Sequence, residues 1–350
     1  MTQRFQLAEN YTISRIINGC WQLSEGHNLK GSLDTNDIMH AFHLLVEKGF
    51  TTFDCADIYT GVEEFLGKFV LQLKKGSAFS PKDIQIHTKF VPDADMLHKV
   101  DFVYTENIID RSLKRLNLDV LDLVQFHWWD YEVPGCLDVA GYLSKLKDKG
   151  KIRNIAVTNF NTEHLAQLTD NGIPVVSVQT QYSVFDRRVE KGLLEYCKSK
   201  GISLLCYGTL SGGFLAEKWI GNPPSEPETR SQVKYLQVIE ETLGHDGYQE
   251  LLILFDRIAK KYNAGIAHVA AKYILSQGGV GAAIIGVRNS RHVESNQKIF
   301  SFDLERAEIE EIKGFLDQYK ILDGDAFDLE RTEGSKFRNI MKMNLNEPVS

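Results

Sequence analysis

At 350 residues the chain can form one large α/β barrel or two smaller domains, and its 43% hydrophobic and 25% charged residues exclude disordered and fibrous classes. A net charge of −7 and a pI near 5.8 give no global attraction to nucleic acid or anionic membrane, so any phosphate-bearing ligand must be held locally. Cys20, Cys55, Cys136, Cys197 and Cys206 are odd in number and form no C-x-x-C pair, which argues against a disulfide framework or a zinc site and for reduced thiols. No apolar run approaches the length of a membrane span and no signal-peptide pattern opens the sequence, so a soluble, cytoplasmic protein is expected.

In chain order, Phe5–Ile13 reads as a small hairpin. Eight short apolar or β-branched runs follow as candidate strands: Ile16–Trp21, Thr51–Ala56, Ile84–Phe90, Val120–His127, Ile152–Asn159, Val175–Tyr182, Ile202–Tyr207 and Ala282–Val287. Amphipathic helices separate them. The clearest is Gly61–Leu73, where Val62, Phe65, Leu66, Phe69, Val70 and Leu73 share one face. The same period recurs at Ile38/Ala41/Phe42/Leu45, at Leu143/Leu146 before Gly150, and at Leu251/Leu254/Phe255/Ile258. Strands separated by helices pair in parallel, and eight such units predict a closed (β/α)8 TIM barrel, with an open doubly wound sheet as the competing arrangement. Two stretches break the rhythm: Ser211–Gly247, rich in Gly, Pro and charge, and the tail from Lys320 to Ser350. Both are expected as long loops forming the site on a single domain of residues 1–350.

A barrel of this kind carries its chemistry at the carboxyl ends of its strands. There the second strand offers Asp54 with Tyr59 in the loop beyond, the third ends in Lys89, and the fourth ends in His127. Taken singly, each is readable as a solvated or packing residue. Polar groups at three successive strand ends are a stronger signal. A tyrosine is a poor acid at neutral pH unless a cation stabilises its phenolate. Lys89 supplies that cation and Asp54 holds the ammonium, while His127 is expected to donate a hydrogen bond to a substrate oxygen. The set suits proton delivery to a carbonyl oxygen as hydride reaches its carbon.

The segments FDCADIY, HTKF and QFHWW resemble the Asp, Tyr, Lys and His motifs of the aldo-keto reductase family, in the same order and at similar spacing. KIRNIAVTNF, VQTQYSVFDRR and CYGTLSGGFLAEK extend the resemblance along the chain, and IIGVRNSRHVESN is similar to the family's last nucleotide loop. The resemblance implies that Thr158, Asn159 and Gln179 hold a nicotinamide carboxamide and that Tyr207 stacks on the ring. It further implies that Gly208, Leu210 and Gly212 line the pyrophosphate with Lys218 and Arg230 as cations. Gly286, Arg288, His292 and Asn296 would meet the adenosine end. No G-x-G-x-x-G follows the first strand, so the barrel itself would bind the cofactor. NADP(H) is the expected cofactor. NAD(H) stays open, because His292 stands where many members carry an arginine, and an imidazole lacks the bidentate fork for a phosphate.

Trp21, Trp128 and Trp129 are expected to line a pocket for flat or apolar carbonyl compounds, with Phe327 and Phe337 of the tail closing it. The expected function is reversible reduction of an aldehyde or ketone, with Tyr59 as proton donor and no metal. Two other classes compete: a cofactor-sensing regulatory subunit with weak catalysis, and a metal-dependent hydrolase. The last needs clustered histidines and carboxylates, and the strand ends offer one convincing histidine, His127.

Overall fold

A computed structural model describes residues 3–24, 33–76, 78–223, 227, 229–331, 338 and 343–346, with the side chains of 230, 327, 329 and 330 outside that description. The hairpin pairs β1 (Arg4–Ala8) with β2 (Tyr11–Ser14) in antiparallel register, from Arg4 opposite Ser14 to Ala8 opposite Tyr11. Eight parallel strands then close a barrel: β3 (Ile16–Gly19), β4 (Thr52–Asp54), β5 (Gln85–Phe90), β6 (Leu121–Phe126), β7 (Ile152–Thr158), β8 (Val175–Gln181), β9 (Ser203–Tyr207) and β10 (Val280–Gly286). Each expected strand is present within one or two residues of its expected ends. The closure runs through β10, which pairs with both β9 and β3, so the barrel sheet itself has no open edge.

The hairpin stoppers one end of the barrel. Leu7, Tyr11 and Ile13 pack against Ile17, Leu123, Ala156, Leu205 and Ala282, which the strand pleat turns to the barrel interior. Tyr11 also shares a 3.0 Å hydrogen bond with buried His87. The same two-residue period lifts Lys89 one layer above His87, and Gln125 one layer above Leu123. Apolar layers thus give way to polar ones towards the carboxyl ends of the strands.

The second core layer lies between barrel and helices. In α1 (Thr35–Glu47) the buried residues are Ile38, Ala41, Phe42, Leu45 and Val46, and Asp34 caps the helix by accepting from the Asn36 and Asp37 amides. In α2 (Val62–Lys74) the face comprising Val62, Leu66, Phe69, Val70 and Leu73 is buried. Next come α3 (Phe102–Leu116), α4 (Cys136–Asp148), α5 (Thr162–Asp170) and α6 (Leu193–Lys200). Ser211–Gly247 is not the long loop its composition suggests. Two 3-10 turns lead into α7 (Arg230–Thr242), whose amino end Thr229 caps by accepting from the Gln232 amide. Beyond it lie α8 (Gly244–Lys261), α9 (Ile266–Ser276), α10 (Val293–Asn296), α11 (Arg306–Leu316) and a six-residue α12 (Ala326–Arg331). Among the described residues no helix is long and apolar enough to cross a membrane.

Candidate active site

The four residues singled out from the sequence come together at the carboxyl mouth of the barrel and line one cavity of about 760 Å³. Parallel pairing puts the carboxyl ends of β4, β5 and β6 side by side, with Lys89 opposite Gln125 in register. Lys89 Nζ donates to Asp54 Oδ2 at 2.8 Å and to the Cys55 carbonyl at 2.7 Å, and both side chains are buried. The second Asp54 oxygen accepts from Gln125 Nε2 and from Gln179 Nε2, each at 2.7 Å. The ion pair is therefore embedded in further hydrogen bonds, the condition under which a buried pair is tolerated.

Lys89 Nζ also lies 4.8 Å from the centroid of the Tyr59 ring. Burial pushes the Tyr59 phenol up to about 12, while Lys89 pulls the other way by favouring the phenolate. Burial likewise works against the Lys89 ammonium, but Asp54 and Tyr59 outweigh it and hold the proton more firmly than in water. The phenol therefore stays protonated, and Lys89 offsets part of the burial that disfavours its phenolate.

The partners of His127 bear on where its ring carries a proton. Its Nδ1 lies 3.0 Å from the Thr158 carbonyl, which can only accept, so Nδ1 carries the proton. Nε2 is then an acceptor, and it accepts from Nη2 of Arg331, which lies across the edge of the ring, 3.0 Å from Nδ1. Burial first, then Arg331, lower the imidazole's proton affinity well below the usual histidine value, so the ring is neutral. With this proton placement Nε2 presents a lone pair, engaged by Arg331, in place of the hydrogen expected for a substrate oxygen.

Twelve of the thirteen expected cofactor residues line the same cavity: Thr158, Asn159, Gln179, Tyr207, Gly208, Leu210, Gly212, Lys218, Gly286, Arg288, His292 and Asn296. Arg230 opens α7, and its side chain is outside the description. Asn159 adopts the left-handed conformation (φ 57°) and accepts from the Tyr207 hydroxyl at 2.9 Å. Gln179 spends its amide nitrogen on Asp54, leaving Oε1 as the end suited to a ligand amide. Gly208 has φ +73°, and a Cβ there would come within 2.9 Å of the Tyr235 ring, so the chain approaches the cavity as only glycine allows.

Several lining residues escaped sequence reasoning: Gln22, Ser231, Lys234, His268 and Ser295. Lys234 is buried, with Nζ 5.2 Å from the Tyr207 ring centroid. It sits one helical turn beyond Arg230, and the sole available signal was that i, i+4 spacing in a stretch read as loop. Of the three tryptophans, Trp21 and Trp129 line the cavity, with Trp129 Nε1 bonded to the Pro92 carbonyl at 2.8 Å. Trp128 does not. It is fully buried, packs on Phe126 and donates to the Val133 carbonyl, because neighbouring residues at a strand end point to opposite sides. The Phe327 side chain and all of Phe337 fall outside the described residues. Among the described residues no three His, Cys, Asp or Glu side chains are grouped as for a metal ion.

Fold and site together define an enzyme of the α/β-barrel class, with its polar machinery at the carboxyl ends of the strands. Residues 15–317 match the model of the aldo/keto reductase family. The chain belongs to that family, which makes it an oxidoreductase acting on carbonyls and alcohols; the family typically uses NAD(P)H. It is 28% identical over 313 residues to the aldo-keto reductase YhdN of Bacillus subtilis (strain 168), covering 87% of this chain and 90% of that one. It is 29% identical over 275 residues to the chloroplastic pyridoxal reductase of Arabidopsis thaliana, covering 75% of this chain and 71% of the relative. It is also 26% identical over 325 residues to the aldo-keto reductase yakc [NADP(+)] of Schizosaccharomyces pombe (strain 972 / ATCC 24843), covering 89% and 91%. The structure of a glycerol dehydrogenase from Gluconobacter oxydans superposes with a TM-score of 0.76 at 23% identity, over 92% of this chain and 98% of that one, a likeness of fold.

Proposed function

We propose that this chain is an NADP(H)-preferring reductase of aldehydes or ketones, also able to oxidise the matching alcohols, with Tyr59 as the proton donor. The observation that carries the reading is the Tyr59 phenol against Lys89, itself locked to Asp54, in a cavity shared with amide-recognising side chains. The residues present fit a dinucleotide. Thr158, Asn159 and Gln179 would hold the carboxamide, Tyr207 would face the nicotinamide ring, and Gly208 with Gly212 gives backbone access. Lys218, Lys234 and Arg288 would meet phosphates, and these cations favour the extra phosphate of NADP over NAD despite the imidazole of His292. When bound, the reduced nicotinamide supplies hydride to the carbonyl carbon.

The chain's own residues do the rest. Tyr59 gives its proton to the carbonyl oxygen, and Lys89 stabilises the phenolate left behind. Asp54 keeps the ammonium aimed, and Gln125 and Gln179 keep Asp54 aimed. Trp21 and Trp129 wall the carbonyl end with apolar surface and exclude water from it. In alcohol oxidation the same phenolate takes the proton back.

The test is a fluorescence titration with NADPH and NADH followed by a panel of aldehydes and ketones, run on wild type and Tyr59→Phe. The variant is expected to keep its nucleotide affinity and to lose turnover by roughly 10²- to 10⁴-fold, the usual worth of a general acid. Equal affinities for the two nucleotides would defeat the NADP preference, and unchanged turnover would defeat the assignment of Tyr59.

A further inference from the structure

Strand pairing in the barrel fixes Asp54 and Lys89 against each other, but it does not reach Tyr59. β4 stops at Asp54, and the phenol stands beyond it, in the segment that joins β4 to α2. Residues Ala56 to Tyr59 turn there, the Tyr59 amide donating to the Ala56 carbonyl at 3.1 Å with Asp57 and Ile58 between them. The Asp57 side chain is buried, and both of its oxygens accept from backbone: Oδ1 from the Ile58 amide and Oδ2 from the Val91 amide, each at 3.0 Å. Val91 directly follows β5, two residues past Lys89. One carboxyl thus joins the turn that carries the proton donor to the strand end that carries its cation. From behind, Arg115 Nη1 donates to the Asp57 carbonyl at 3.2 Å, so α3 backs the same turn.

From this arrangement we infer that Asp57 is a positioning residue, which pins the Tyr59 turn to the end of β5 and so holds the phenol where Lys89 can serve it. The inference rests on the reading of Tyr59 as proton donor given above. Two observations carry it. First, Asp57 acts through its neighbours. Ile58, Tyr59, Thr60, Lys89 and Val91 line the cavity, whereas Asp57 is not among the described residues of its wall. Second, the group is costly where it stands. Burial first, and then Glu63, push its carboxyl up to about 8, against the pull of the Val91 amide. An apolar side chain would avoid that cost and leave two amides without their acceptor. A carboxamide would not replace the carboxyl either. It puts an oxygen towards one amide and its own NH2 towards the other, two donors face to face. The position therefore calls for two acceptors on one short stem, and those two acceptors are what tie the turn to β5. A displacement of about 1 Å between reacting groups can slow a chemical step on the order of 10²-fold, so a pin one residue from the aldehyde-facing wall bears directly on rate.

The experiment uses the full chain as wild type, Asp57→Asn and Asp57→Ala, in single turnovers of enzyme-bound NADPH with excess aldehyde, followed by loss of NADPH fluorescence. The rate reports the chemical step, and the amplitude reports the fraction of competent enzyme. Asp57→Ala is expected to slow the rate by roughly 10- to 100-fold, with amplitude and NADPH affinity within about a factor of two of wild type. Asp57→Asn, which keeps one acceptor, should fall between them. Hydrogen exchange on the peptide that contains Val91 gives a readout apart from turnover, and this amide should lose protection in Asp57→Ala. A carboxyl with a merely structural role would lower the amplitude or the thermal transition and leave the rate untouched, which overturns the inference. An unchanged rate in a protein whose Val91 amide has been released overturns it too. If Asp57→Ala does not fold, Asp57→Asn decides by the same rate and exchange readings. If wild type turns over no carbonyl compound, the reductase reading fails, and exchange alone judges the pin: protection of Val91 retained in the variant overturns it.

Discussion

Lys89 Nζ lies 2.8 Å from Asp54 Oδ2, with 5% and 6% of the two side chains exposed, so the cation that serves Tyr59 depends on a carboxylate equally removed from water. Removing one member of such a pair leaves the other charge buried without compensation. Lys89→Met is therefore expected to lower stability by about 3–5 kcal/mol as well as abolish turnover. Urea unfolding checks this. The double variant Asp54→Asn/Lys89→Met, which removes both charges, should recover a large part of that loss without recovering activity. If the double variant is no more stable than the single one, the pair is not what makes the single change costly.

At Gly208 two constraints coincide. The residue sits at φ +73°, and an added Cβ would meet Tyr235 at 2.9 Å. Gly208→Ala should lose about 1–3 kcal/mol of stability from the backbone conformation alone. Because the strain falls where the nucleotide phosphates are proposed to lie, NADPH affinity should drop by tenfold or more in the same titration that tests wild type. Full affinity in a folded Gly208→Ala protein would remove this loop from the cofactor site.

The barrel was legible because its strands are short apolar runs with helices of clear 3.6-residue period between them, and both signals are local. The tetrad was legible for a related reason: Asp54, Lys89 and His127 each sit at a strand end where an apolar residue is the default. What stayed hidden depends on tertiary placement. Ser211–Gly247 has the composition of a loop, and only the Thr229 cap and the contacts of Tyr235 and Val238 with the core reveal α7 and bring Lys234 to the cavity. Trp128 and Trp129 are adjacent and identical in type, and the alternation of side chains along an extended segment sends one into the packed core and the other to the site. No pattern in the sequence links Arg331 to His127, because 204 positions separate them and α12 is too short for a periodic signal.

His87, below the site, links stability to acid. It is wholly buried, bonded to the Tyr11 hydroxyl, and burial lowers its pKa to about 4, against 6.5 for an unburied histidine. The folded state thus prefers the neutral ring. Above pH 6.5 the preference costs nothing, since the unfolded chain is neutral too. As pH falls from 6.5 towards 4 the unfolded chain takes up the proton first, and stability declines by up to about 3 kcal/mol before levelling below 4. His127, whose pKa is also lowered, by burial and then by Arg331, adds to the decline in the same direction. His87→Gln keeps a partner for Tyr11 without a titrating ring, so its stability measured by urea unfolding between pH 7 and 4 should fall less steeply than that of wild type. Parallel curves would show that His87 does not carry the acid sensitivity.

Residues 343–346 are clipped beside the site around the Asp93 carboxylate. Asp93 Oδ1 accepts from the amides of Leu345 and Asn346, each at 2.9 Å, while Asn346 Nδ2 donates to the Val91 carbonyl at 2.7 Å and the Ala94 amide to the Met343 carbonyl at 3.1 Å. Arg111 completes the clip by donating to the Asn346 side chain. Leu345, held in this way, is part of the cavity wall. Asp93→Ala removes the two charge-assisted bonds and leaves the barrel untouched, so the global unfolding transition should shift by little while residues 343–346 open locally. Faster trypsin or chymotrypsin cleavage near the C-terminus reports the opening. Since the clip holds Asn346 against Val91, two residues beyond Lys89, Leu345 is expected to bear on the carbonyl compound more than on the nucleotide, and KM for the carbonyl compound should rise about tenfold with NADPH affinity within a factor of two of wild type. A released tail with an unchanged KM would show that the clip anchors the chain without shaping the pocket.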